Sequence, residues 1–156
     1  MYKLEDITTN MNKFEFQNPV KLYFGEGEIA KVAKEIAPGS KVMVTYGGGS
    51  IKRNGIYDQV MAALKDCIVI EFGGIEANPD YDTLMRDVAL GKAEKVDFTL
   101  AVGGGSIIDG TKFITAAMNY DGDPWDFIVG KAPVPAAKPF GTVLTLPATG
   151  SEMNCG

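Results

Sequence analysis

Two stretches of this chain have residue types and spacing suited to chemistry, and they share four letters: Gly47-Gly48-Gly49-Ser50 and Gly103-Gly104-Gly105-Ser106. Each follows a short apolar run, and the residues after Ser106 resume at helical spacing. Such turns hold phosphate. A strand passing through bare backbone into a helix leaves N–H groups pointing outward at the positive end of the helix dipole, and glycine lets an anion come close to them. Two such turns on one sheet suggest a ligand with more than one phosphate. Neither matches a standard fingerprint. The Gly-x-Gly-x-x-Gly pattern needs glycine where Ile108 stands, and a P-loop fails because Gly110 is followed by Thr111-Lys112, the reverse of the required order. The reading as phosphate turns rests on the repetition.

The flanking charges bear on which phosphates. Acidic side chains at a strand end commonly bind the ribose hydroxyls of NAD and repel a 2′-phosphate. The run at residues 41–46 ends with no acid, and Ser50, Lys52 and Arg53 follow its glycines, a neighbourhood that favours NADP over NAD. The plainer reading leaves both cations merely solvated. Asp109 falls in the first turn after Gly105, where a carboxylate either caps the helix or orients a substrate or nicotinamide. Thr145 and Thr149, at the mouth of the last strand, offer hydroxyls to a cofactor, although threonine is common at strand ends. No histidine occurs, which removes the commonest general base and the commonest nitrogen ligand for a metal. Paired carboxylates at catalytic spacing and a nucleophile elbow are not apparent either.

The elements that must position these residues alternate. Strands are expected at residues 20–24, 41–46, 67–72, 98–102 and 141–146. Helical stripes run through Ile29, Val32, Ala33 and Ile36, through Ile56, Val60, Met61 and Leu64, through Tyr81, Leu84, Met85 and Val88, and from Ser106 to about Met118. Asn78 is the expected cap of the third, with Pro79 at its first position, and Gly91 weakens its last turn. This pattern predicts an α/β fold with a parallel sheet and helices on both faces, which puts both glycine turns on one rim. Residues 119–139, carrying Pro124, Pro133, Pro135 and Pro139, form a long loop with one short helical turn near Trp125, a packing anchor in preference to a binding platform. Ser151-Glu152 opens what reads as another helix, and an ending at Gly156 reads as truncated.

With 156 residues and 46% hydrophobic content the chain suits one compact domain, preceded by a polar extension at residues 1–10. Residues 1–10 carry charge where a signal peptide needs an apolar segment, and no run approaches the roughly 20 apolar residues of a membrane span, so a soluble, cytoplasmic protein is expected. A net charge of -5 without a long basic run argues against nucleic acid as partner. Cys67 and Cys155 lack metal or redox spacing.

Taken together, Asn18-Pro19, Phe24-Gly25-Glu26-Gly27, Tyr46 to Ser50, Phe72-Gly73-Gly74-Ile75-Glu76, Asn78-Pro79, the stretch 101–112 and Thr145 to Glu152 resemble the N-terminal domain of the iron-containing alcohol dehydrogenase family. The likeness is strongest to its NADP-dependent aldehyde reductase and butanol dehydrogenase branch, and it covers residues 11–156. It implies a Rossmann-like dinucleotide-binding domain in which Gly104, Gly105 and Ser106 donate to the pyrophosphate. Gly48, Gly49 and Ser50 would lie at the adenosine ribose, Thr145, Leu146 and Thr149 along the cofactor, and Asp109 near nicotinamide and substrate. Complete members hold a divalent metal, iron or zinc, through one Asp and three His of a second, helical domain, and it polarises the alcohol oxygen. None of those histidines is in this chain. The expected function is therefore cofactor binding within an NADP-dependent alcohol dehydrogenase or aldehyde reductase acting on a small aldehyde or alcohol. A non-catalytic nucleotide-binding module and an NAD-dependent relative of glycerol dehydrogenase are the alternatives, and a homodimer is left open.

Overall fold

The computed structural model describes residue 15 and residues 17–154. The expected extension at 1–10, the domain's start at 11 and Cys155 lie outside the described residues. In chain order, a 3-10 turn (Glu28–Lys31) leads into α1 (Val32–Glu35), then β1 (Lys41–Tyr46), α2 (Ser50–Arg53), α3 (Ile56–Ala63), β2 (Ile68–Gly73), α4 (Tyr81–Glu94), β3 (Phe98–Gly104), α5 (Gly105–Ala117), α6 (Trp125–Ile128) and β4 (Phe140–Leu146). The strands form one parallel sheet in the order β2-β1-β3-β4. This is the expected α/β architecture, Rossmann-like in its crossovers.

Strands in such a sheet are covered on both faces, so they read as continuous apolar runs. β1 is buried along its whole length after Lys41. Its alternate residues divide the core: Met43 packs with Ile107, Ile108, Ile114, Leu84 and Val88 under α4 and α5, whereas Val42, Val44 and Tyr46 pack with Ile51, Val60 and Leu64 under α2 and α3. α4 runs on through Gly91 to Glu94. Gly91 is buried, and the space a Cβ would fill is taken by Met118 and by Met43 Cε, so glycine there is a packing choice.

The strand expected at 20–24 does not form. The segment has no sheet partner among the described residues; Lys21 and Tyr23 instead donate to the Glu35 carboxylate at the end of α1. Its apolar set is left outward, with Val20, Leu22 and Phe24 exposed by 48%, 63% and 93%. Period-2 alternation specifies an extended backbone, but a strand also needs a neighbouring edge. The start of α4 differs as well: the N-cap is Asp80, whose carboxylate accepts from the N–H groups of Asp82 and Thr83, and Asn78-Pro79 lies before it. A carboxylate is the better acceptor for amides at the positive end of a helix. Lys52 and Arg53, which follow the first glycine turn, belong to the single turn of α2. Residues 151–153 make a turn where a helix was expected.

The long loop does contain a short helix, α6, and Trp125 anchors it edge-on against Tyr81 at 5.1 Å between ring centres. Tyr81, Phe113, Phe127 and Tyr120 extend the ring contacts across α5. Among the described residues two buried side chains lack a hydrogen-bond partner, the Thr99 hydroxyl and the Asp87 carboxyl. Asp87 on α4 is fully buried, neither carboxylate oxygen has a hydrogen-bond partner among the described residues, and burial pushes its pKa up to about 8. Among the described residues no helix is long and apolar enough to cross a membrane.

Candidate functional site

The C-terminal ends of β1, β3 and β4 open onto one cleft of about 350 Å³. Ligand sites in parallel sheets lie on this rim, because there the strands end and the helices present their N-termini. The cleft is lined by Gly47, Gly49, Ser50 and Asn54 on one side, by Gly103, Gly104 and Ile107 at the centre, and by Thr145 and Leu146 on the other. Both glycine turns therefore meet at one place, as their repetition predicted.

Ile107 is the spacer between them. A Cβ on Gly47 would stand 3.3 Å from its Cδ1, and one on Gly103 would stand 2.5 Å from its Cγ1, so each turn closes down on the same side chain. The β3–β4 register slips between Gly103 and Gly104, a local irregularity of the kind that re-aims backbone beside ligand sites. Gly104 is the N-cap of α5, with extended backbone and no side-chain cap. The first amides of α5 thus have neither an intrahelical partner nor a capping side chain, at the positive end of a 13-residue helix. A Cβ on Gly104 would meet only Leu146 at 3.6 Å, leaving this backbone open to an approaching anion.

The sequence-predicted residues divide by place. Gly49, Ser50, Gly104, Thr145 and Leu146 line the cleft. Gly48 is exposed beside it, with nothing within 4 Å of where its Cβ would be. Gly105 lies under the α5 N-terminus, where a Cβ would collide with Thr149 Oγ1. Ser106 presents its backbone there, but its hydroxyl donates to the Ala77 carbonyl. Thr149 Oγ1 is 2.7 Å from Ser151 Oγ, which donates to Asp109 Oδ2 at 3.1 Å. Asp109 also faces Lys112 Nζ at 3.7 Å, and that ammonium donates to Asn154 Oδ1 at 2.6 Å. Asp109 therefore belongs to a polar chain flanking the cleft through Ser151 and Thr149.

Lys52 is not in the cleft lining. Its ammonium is 3.4 Å from Glu71 Oε2 and lies over the rings of Tyr46 and Tyr57, 4.9 and 4.7 Å from their centres. Tyr46 and Tyr57 donate to Glu71 Oε2 and Oε1 at 2.9 and 2.8 Å. The Tyr46 hydroxyl, and after it Glu71, hold the Lys52 ammonium above the ordinary lysine pKa. Tyr57, then Tyr46 and Lys52, hold the Glu71 carboxyl below its ordinary range, while Glu71 raises Tyr57. Sequence reasoning missed Glu71, Asn54 and Ser151. Asn54 carried a signal as half of an Asn-Gly turn, and Ser151 only as the opener of an expected helix and a member of the Thr145 to Glu152 stretch; Glu71 reads as a residue of an apolar run.

The cleft suits a pyrophosphate: unpaired helix-terminal amides stand behind a glycine where a side chain would obstruct them. The described residues do not suit a metal. No three of their His, Cys, Asp or Glu side chains gather, and the sequence contains no histidine.

Residues 19–156 match the family model of iron-containing alcohol dehydrogenase. An NADPH-dependent aldehyde reductase of Escherichia coli K12, YqhD, is 53% identical over 149 residues, covering 94% of this chain and 38% of that protein. A probable NADH-dependent butanol dehydrogenase of Bacillus subtilis 168 is 52% identical, with the same coverage of 94% and 38%. The crystal structure of NADH-dependent butanol dehydrogenase A from Thermotoga maritima superposes with a TM-score of 0.88 at 45% identity, over 92% of this chain and 37% of that one. The chain spans about 38% of the length of the curated relatives it matches.

Proposed function

The chain belongs to the iron-containing alcohol dehydrogenase family, and from that premise we propose that it is the nucleotide-binding part of an alcohol dehydrogenase or aldehyde reductase that takes NADP in preference to NAD. The observation that carries this reading is the meeting of two Gly-Gly-Gly-Ser turns at one cleft beside the uncapped N-terminus of α5. In this reading the amides of Gly105 and Ser106 hold the pyrophosphate, with Gly104 leaving room for it. Gly48, Gly49 and Ser50 face the adenosine ribose, and Thr145, Leu146 and Thr149 flank the rest of the cofactor. Bound nicotinamide supplies the hydride that passes to or from a small aldehyde or primary alcohol. Asp109, steadied by Ser151, orients the reacting end.

The NADP preference draws its support from the absence of an acid between Tyr46 and Arg53 and from the nearby cations. Two observations favour NAD as a second reading: Lys52 is already paired with Glu71, and a probable NADH-dependent relative is about as similar to this chain as the NADPH-dependent one. Calorimetric titration of the chain with NADPH and NADH tests both. Binding of NADPH at least tenfold tighter supports the proposal; equal or tighter binding of NADH overturns the preference, and no binding of either overturns the dinucleotide reading.

A further inference from the structure

Glu71 stands on β2, one strand outside the cleft, and its carboxylate gathers three groups at once: the Tyr46 and Tyr57 hydroxyls and the Lys52 ammonium. We propose that Glu71 is a specificity-determining residue, which sets the balance between NADPH and NADH by neutralising the Lys52 charge that a 2′-phosphate would otherwise meet. This rests on the reading of the cleft as a dinucleotide site with its ribose end at Gly48 to Ser50.

The geometry separates the two jobs done to Lys52. The Tyr46 and Tyr57 rings hold the ammonium in place from below, at 4.9 and 4.7 Å, and Tyr46 is itself fixed: it is 8% exposed, and its ring fills the space where Gly73 would carry a Cβ. Glu71 supplies the opposing charge at 3.4 Å. Lys52 is two residues past Ser50, which lines the cleft. At physiological ionic strength charges act over about 8 Å, so a phosphate near Ser50 senses the lysine and the glutamate together as a nearly neutral pair. Removing the carboxylate while keeping the rings unmasks the cation and leaves it anchored. A cofactor ending in a bare ribose hydroxyl has no charge there and responds little.

The test is a binding cycle on the full chain with NADPH and NADH as probes, using wild type, Glu71→Gln, Lys52→Met and the double variant. Gln keeps the size of Glu71 and one acceptor oxygen for a tyrosine hydroxyl, and its NH2 can donate to the oxygen of the other. Glu71→Gln is expected to tighten NADPH roughly three- to tenfold while leaving NADH within about twofold, and raising the salt concentration should shrink the gain. Lys52→Met should weaken NADPH selectively and abolish the effect of Glu71→Gln. The inference is overturned if Glu71→Gln leaves the NADPH-to-NADH ratio unchanged or lowers it, or if its effect persists without Lys52. Those failures leave the dinucleotide reading standing, whereas a wild-type chain that binds neither cofactor removes both.

Discussion

The two Gly-Gly-Gly-Ser turns are identical in letters and different in structure. In the first, β1 ends at Tyr46 before the glycines begin, and Gly49 turns the chain at φ 87° to open the four-residue α2. In the second, β3 runs on through Gly103 and Gly104, and Gly105 is already the first residue of the 13-residue α5. The third glycine of each quartet is therefore needed for opposite reasons. Gly49 has nothing within 4 Å of its missing Cβ but adopts a left-handed conformation; Gly105 has helical backbone but Thr149 Oγ1 where its Cβ would be. Equal sequence gave one turn its glycine by backbone need and the other by crowding.

The largest expected effect concerns the layers carrying the turns. The α4–α5 layer behind the second turn contains Asp87, buried and uncompensated, with a pKa of about 8 against an ordinary 3.8. Between those values the native chain keeps a proton that the unfolded chain releases. The contribution of Asp87 to stability is thus full below about pH 4 and is lost progressively as pH rises through about 8, by on the order of 1 kcal/mol per pH unit. Urea melts from pH 5 to 9 should show this slope, and Asp87→Asn should flatten it; an unchanged slope in the variant assigns it elsewhere. Gly105→Ala comes next. Overpacking against Thr149 and Ser151 should destabilise the chain by about 1–3 kcal/mol, and Thr149→Ala in the same chain should relieve part of it, both read in thermal melts.

The smallest effect sharpens the contrast most. Gly49→Ala should cost about 1 kcal/mol through its left-handed backbone, whereas Gly48→Ala, with open space and no positive φ, should stay within about 0.5 kcal/mol. Asparagine tolerates the left-handed region better than other residues, so Gly49→Asn should recover part of the loss, while Gly105→Asn should be no better than Gly105→Ala. If the two positions respond alike, the distinction between conformational and steric need is wrong.

Much of this was legible beforehand. β1 falls on the residues the apolar run marked, and the parallel sheet and its shared rim follow from alternating periods and right-handed crossovers. The site was half legible. Glycines and polar residues at strand ends announced the cleft, but not the pairing of Lys52 with Glu71, because these residues come from different elements and meet only when β2 pairs beside β1. The same reason accounts for residues 20–24. Their alternation is local, and among the described residues they pair with no strand.

The sequence by itself determined the periods, the breaks and the chemistry available: backbone for phosphate, no imidazole, and a handful of charges beside two glycine turns. These are properties of neighbours along the chain, governed by sterics and propensity over a few residues. Only the tertiary structure decided that Ile107 separates the turns, that Ser151 reaches Asp109, that Glu71 holds Lys52 and that Asp87 is left without a partner among the described residues. Each depends on packing between elements distant in sequence, where space and charge are set by whatever lies across the layer.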